Sequence, residues 1–184
     1  MRILVIDDKP VNLAAATAQL HSHEVTTKDN YGEGLISLCP GHDFEVVLTD
    51  LLMPVVDNLG LSEKGDRWVG QEIPFGFLVA LHALMMGVRW VGILTIENHH
   101  DHPASMSLDR YRYRGGFAQN TTIGESELIM ANDSFVGYCH PDKPGVFVNW
   151  EPGITPVKNW AEFLEYLLLP HPKVGYWEWH RDKE

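Results

Sequence analysis

The chain has 184 residues, 45% of them hydrophobic, with 25 acidic against 14 basic residues and a net charge of −11. That is enough apolar material for one sizeable packed domain and excludes global disorder. The negative balance also excludes charge-driven binding to nucleic acid or anionic membranes, because the long-range field repels phosphates.

Residues 2–6, RILVI, read as a short strand that is apolar on both faces, as expected of a central parallel strand. Asp7, Asp8 and Lys9 then form a loop, and Pro10 fits the first turn of a helix over 10–21. Residues 24–27 form a second strand, 32–38 a short helix and 44–49 a third strand, with Asp50 at its C-terminal end. Alternation of strands and helices predicts β-α-β units on a parallel sheet with right-handed connections. Residues 55–73 read as a long loop, 74–87 as a helix apolar on most faces, and 88–95 as a fourth strand ending at Thr95. A polar, His-rich stretch follows, and RYRYR then alternates like an exposed strand. A helix is expected within 122–132, a last strand at 145–150, and a final helix over 155–169, capped by Thr155 with Pro156 in its first position. No apolar run reaches the ~20 residues that span a bilayer. The N-terminus lacks the long apolar segment of a signal peptide. Two cysteines, Cys39 and Cys139, suit a reducing compartment. A soluble, cytoplasmic protein is therefore expected.

In open parallel sheets, ligands bind outside the carboxyl ends of the strands. This reading brings Asp7, Asp8 and Asp50 to that edge. Three carboxylates at one place repel each other unless a cation or proton compensates. Their hard oxygens suit Mg²⁺, and a carboxylate held ionised beside that ion can attack a phosphoryl group.

The run ILVIDDKPVN, followed by VVLTDLLMP, resembles the receiver domain of two-component response regulators, and DNYGEGLISL resembles the second helix of that family. The resemblance is close over 1–54 and looser over 75–95 and 156–169. It implies a doubly wound α/β, flavodoxin-like fold with a five-stranded parallel sheet. Asp50 would be the phosphoacceptor. Asp8 would bind Mg²⁺ directly, Asp7 directly or through a water, and the backbone carbonyl of Leu52 would be a further ligand. Thr95 would supply the hydroxyl that couples the phosphoryl group to a switch. A histidine kinase or phosphotransfer protein would act upstream and an unidentified protein downstream, with no nucleic acid and no membrane involved. The family's lysine at the end of the fifth strand falls on Asn149 in this alignment, with Lys143 and Lys158 elsewhere nearby.

The expected organisation is one receiver-like domain over 1–170, with insertions at about 55–73 and 96–135, and an aromatic tail at 171–184 that contains Tyr176, Trp177 and Trp179. The tail reads as a contact for a partner or a second copy of the chain. Arg110, Arg112 and Arg114 alternate with Tyr111 and Tyr113, which suits a charge-blunted edge strand better than a nucleic-acid surface. Glu97, His99, His100, Asp101 and His102 have ligand chemistry for a transition metal, but their spacing fits no standard zinc signature. Cys139 and His140 could join such a site, and Cys39 reads as a core thiol. The leading expectation is a phosphoacceptor switch rather than an enzyme. The alternatives are a receiver-like interaction module that takes up no phosphate, favoured by Asn149, and a metal-dependent enzyme built on the His-rich insertion.

Overall fold

The structure is a computed structural model that describes residues 1–56, 66–96, 102–106, 112–113, 116–132, 136–140, 143–148 and 157–169. Its first half runs β1 (Arg2–Ile6), α1 (Pro10–Gln19), β2 (Glu24–Lys28), α2 (Tyr31–Ser37), β3 (Val46–Thr49), β4 (Met53–Pro54), β5 (Glu72–Ile73), α3 (Phe75–Met85) and β6 (Trp90–Thr95). The second half runs α4 (Pro103–Met106), β7 (Arg112–Tyr113), β8 (Gly116–Ile123), β9 (Ser126–Asn132), β10 (Tyr138–His140), β11 (Lys143–Val148), β12 (Val157–Lys158) and α5 (Trp160–Leu168).

The main sheet has the order β2-β1-β3-β6-β9-β8-β7. Its first five strands are parallel, and β8 and β7 continue it antiparallel. This is the flavodoxin-like α/β architecture expected from the sequence, with two antiparallel strands added at one edge. Strand β1 explains why the fold forms. Ile3 and Val5 enter one apolar cluster with α1 and α5, while Leu4 and Ile6 enter a second with α2 and α3. Alternate side chains of a strand point to opposite faces, so a strand covered on both sides must be apolar throughout. Trp160, Phe163 and Leu167 of α5 are completely buried, each contributing about 2–3 kcal/mol by removal from water. Helix α3 buries Gly76, Val79, Ala80 and Ala83 and leaves Leu78, Leu81 and Met85 in solvent. Among the described residues, no helix is long and apolar enough to cross a membrane.

The excursion after Pro54 is closed by a short ladder. Met53 pairs with Ile73 and Pro54 with Glu72. Beyond them, Val55 N donates to the Gln71 carbonyl at 3.0 Å. Closing a longer loop costs only slowly more entropy, so once its ends are paired the insertion leaves α3 in place. Helix α3 returns to the site at Gly76, whose N–H donates to the Leu51 carbonyl at 3.0 Å. A Cβ at this position would lie 2.2 Å from the Asp50 carbonyl oxygen, so the close approach requires glycine.

The second half departs from the sequence reading at three places. Residues 122–132 form no helix: they are the turn of a hairpin and strand β9, with Ile123 paired to Ser126 and Gly124 at φ 64° in the turn. Strand β9 is also the fifth parallel strand, beside β6 from Trp90↔Glu127 to Thr95↔Asn132. SELIMAN has good helix formers, but a slot between two strands overrides that weak preference. The fifth strand thus lies inside the span expected to be an insertion. The stretch expected as the last parallel strand instead contributes to β11, in a separate antiparallel sheet of order β11-β10-β12. Finally, the last helix begins at Trp160 rather than Thr155. Its cap is Asn159, whose side chain accepts from Glu162 N at 3.2 Å.

Candidate functional site

Asp7 follows β1 and Asp50 follows β3, two adjacent central strands in register at Ile6↔Thr49. The Asp50 N–H donates to the Ile6 carbonyl at 2.8 Å, tying the two strand ends together. Asp8 completes the group, and one oxygen from each carboxylate lies within 4.8 Å of the others. Asp7 and Asp50 are buried, and Asp8 is half-buried.

A cation stands among them. Lys158 is completely buried, and its Nζ lies 2.6 Å from Asp7 Oδ2 and 2.8 Å from Asp50 Oδ1. It also sits 5.3 Å from the centre of the Trp160 ring. Asp7 is saturated with donors: Lys9 N at 2.9 Å and Asn12 Nδ2 at 3.0 Å reach Oδ1, and Asn12 Nδ2 at 3.1 Å and Lys158 reach Oδ2. Asp50 Oδ1 accepts from Leu51 N at 2.6 Å as well as from Lys158. By contrast, Asp8 Oδ1 is a buried carboxylate oxygen with no hydrogen-bond partner among the described residues. Such an atom is costly to bury unless something else compensates it.

The electrostatics follow from burial. Burial pushes the Asp50 carboxyl up to about 7, against the pull of the Lys158 ammonium, and the Asp7 charge adds to the rise. Burial also raises Asp8, again helped by Asp7. Burial alone would lower Lys158, but the Asp50 and Asp7 carboxylates outweigh it and hold the ammonium charged. Three carboxylates and one ammonium leave a formal charge of −2. That charge and the partnerless Asp8 oxygen fit a hard divalent cation such as Mg²⁺. Asp8 and Asp50 each have an oxygen that could hold such an ion directly, whereas both oxygens of Asp7 already accept hydrogen bonds.

A sequence comparison finds a relative over part of the chain. Over 65 residues, 34% of this chain, the sequence is 40% identical to Protein PilH of Pseudomonas aeruginosa, a response regulator. Over that segment the chain is similar to a response regulator. The match covers 53% of PilH, so the chain spans about half the length of that relative. No family model matches the chain. Among solved structures, the BeF3-activated DrrB receiver domain is 18% identical with a TM-score of 0.35, covering 52% of this chain and 66% of that one. RcsB from Salmonella enterica serovar Typhimurium, bound to promoter rprA, is 24% identical with a TM-score of 0.38, covering 58% of this chain and 52% of that one.

The lysine that stands against the carboxylates is Lys158, whereas the sequence alignment put Asn149 at the family's lysine place; residue 149 itself lies outside the described residues. The sequence alignment expects that lysine at the end of the fifth parallel strand. Here the lysine ends a two-residue antiparallel strand and precedes Asn159. A signal was available: Asn159 and Glu162 have capping-box spacing, which starts the helix at Trp160 and leaves Val157 and Lys158 extended before it. The sequence reading also gave no role to Asn12 in the pocket, although it is buried against Asp7.

The remaining expected residues separate. Thr95 ends β6, is buried, and pairs with Asn132 of β9. Leu52 is buried between Asp50 and β4. Of the His-rich group, residues 97–101 lie outside the described residues, and His102 Nδ1 accepts from Ala104 N at 3.1 Å at the start of α4. Among the described residues, Asp7, Asp8 and Asp50 form the one cluster with metal-ligand geometry. Cys139 is buried in the apolar core, whereas Cys39, expected in the core, is exposed. Arg112 and Tyr113 form β7 at the sheet edge, and residues 110, 111 and 114 lie outside the described residues, as do 171–184.

Proposed function

We propose that this receiver domain accepts a phosphoryl group on Asp50 and works as a switch in two-component signalling. The observation that carries the proposal is Lys158 between Asp7 and Asp50, because it sets a cation beside a buried carboxylate nucleophile and the Asp8 carboxylate. A bound Mg²⁺ would neutralise charge on the phosphoryl oxygens during transfer. Asp50 Oδ1 is occupied by Leu51 N and Lys158, so Oδ2 is assigned as the nucleophile. It forms the new P–O bond as the donor's P–N or P–O bond breaks, and the electron pair of that bond leaves with the donor. Asp8 and Asp50 would hold the cation, with the Leu52 carbonyl as a further ligand. Asp7 orients Lys158, whose ammonium turns from Asp50 to a phosphoryl oxygen as the adduct forms. Thr95, at the end of the neighbouring strand, would take a second phosphoryl oxygen and carry the change to a protein-binding surface. The donor is a histidine kinase or phosphotransfer protein, and the site of action is the cytoplasm.

With Lys158 in the pocket, the argument for a module that takes up no phosphate loses its main support. Incubation with Mg²⁺ and acetyl phosphate tests the proposal. An acylphosphate adduct is expected in the wild type and none in Asp50→Asn. A wild-type protein that forms no adduct and shows no response to beryllofluoride would overturn it.

A further inference from the structure

Lys158 reaches the pocket from an unusual support. Strand β12 has two residues and lies at the edge of its sheet, with β10 as its one neighbour. A lysine has a long flexible stem, so its aim depends on where its backbone is held. Here α1 holds both polar groups of the Lys158 backbone. Lys158 N donates to Asn12 Oδ1 at 3.2 Å, and the Lys158 carbonyl accepts from Gln19 Nε2 at 3.0 Å. Gln19 Oε1 also accepts from Ala161 N at 3.2 Å, in the first turn of α5. Trp160 Nε1 donates to the Asn12 carbonyl at 3.0 Å. Asn12 and Gln19 are seven positions apart, so they return to the same face of the helix within about 20°. One face of α1 thus grips the segment on both sides of the lysine.

We propose that Asn12 and Gln19 are positioning residues that clamp the Lys158 backbone and so aim its ammonium between Asp7 and Asp50. The proposal rests on the phosphoacceptor reading of that pocket. Asn12 also bonds Asp7, so its removal disturbs two things at once. Gln19 touches none of the carboxylates in the described hydrogen bonds and is the cleaner probe.

The experiment uses the full chain with Gln19→Ala and Gln19→Glu. Glutamate keeps an acceptor for Ala161 N but has no proton to donate to the Lys158 carbonyl. Three quantities are measured: Lys158 acetylation by an amine-reactive ester, read by peptide mass spectrometry; Mg²⁺ affinity; and the rate of acylphosphate formation from acetyl phosphate. Both variants should raise Lys158 acetylation and lower the phosphorylation rate by about tenfold, the size of one hydrogen bond. Mg²⁺ affinity should stay within about twofold, well below that effect. Unchanged Lys158 acetylation would overturn the clamp. So would a wild-type rate in Gln19→Glu, or Mg²⁺ affinity falling in step with the rate, as a general loss of the pocket would produce. If the wild type forms no acylphosphate, the phosphoacceptor reading fails, while Lys158 acetylation still decides for or against the clamp.

Discussion

The two halves of this molecule build their share of the pocket by different means. In the parallel half, Asp7 and Asp50 arrive at strand ends, held by a ladder on each side of β1 and β3. In the added antiparallel half, Lys158 arrives on an edge strand of two residues, held by side chains of α1. The first placement needs only the alternation of strands and helices. The second needs a particular set of side-chain contacts between segments 139 and 146 positions apart. A lysine on an edge strand of a separate antiparallel sheet thus reaches the same pocket as carboxylates at the ends of parallel strands.

Substitutions can break or sharpen this contrast. The largest effect is expected for Lys158→Met, which leaves Asp7 and Asp50 buried without their cation. It should cost about 3–5 kcal/mol in denaturant unfolding without Mg²⁺. Millimolar Mg²⁺ should recover part of that loss, because a bound cation stabilises the folded state. A loss below about 1 kcal/mol would mean that the pair contributes little. Next comes Ile129→Ala in β9, fully buried between β6 and β8. A cost of about 3 kcal/mol is expected from the same measurement. A smaller one would mean that β9 is an appendage rather than the fifth strand of the core.

Gly76→Ala should be milder. Its Cβ would meet the Asp50 carbonyl oxygen, so the strand end or α3 must shift, at about 1–3 kcal/mol. Because the shift falls on Asp50, Mg²⁺ affinity measured by calorimetry should fall as well. Asn159→Ala removes the cap of α5 and a hydrogen bond to the Val136 carbonyl. It should lower stability by about 1 kcal/mol. The smallest effect belongs to Ile123→Ala, in the added strand β8, where the side chain is 48% exposed. A change within about 0.5 kcal/mol is expected there, and a larger one would show that the added edge supports the core.

The first half was legible because its signals are local. RILVI and VVLT are apolar on both faces and end in acids, so the strands, their parallel arrangement and the Asp7–Asp8–Asp50 pocket follow from pattern alone. The second half was misread where local preference and tertiary context disagree. Residues 126–132 have helical composition but lie between two strands, and residues 145–148 look like a core strand but pair in another sheet. The lysine was missed for the same reason. Its neighbours Asn159 and Glu162 mark a helix start but not a pocket, and its partners Asp7, Asp50, Asn12 and Gln19 are distant along the chain.

By itself, then, the sequence determined the parallel core and the acidic edge, because strand period and strand-end chemistry are properties of short segments. The tertiary structure decided which segment completes the sheet and which lysine neutralises the carboxylates. Both are pairings between remote residues. They are settled by burial of a strand between its neighbours and by the need of a buried charge for its counterion.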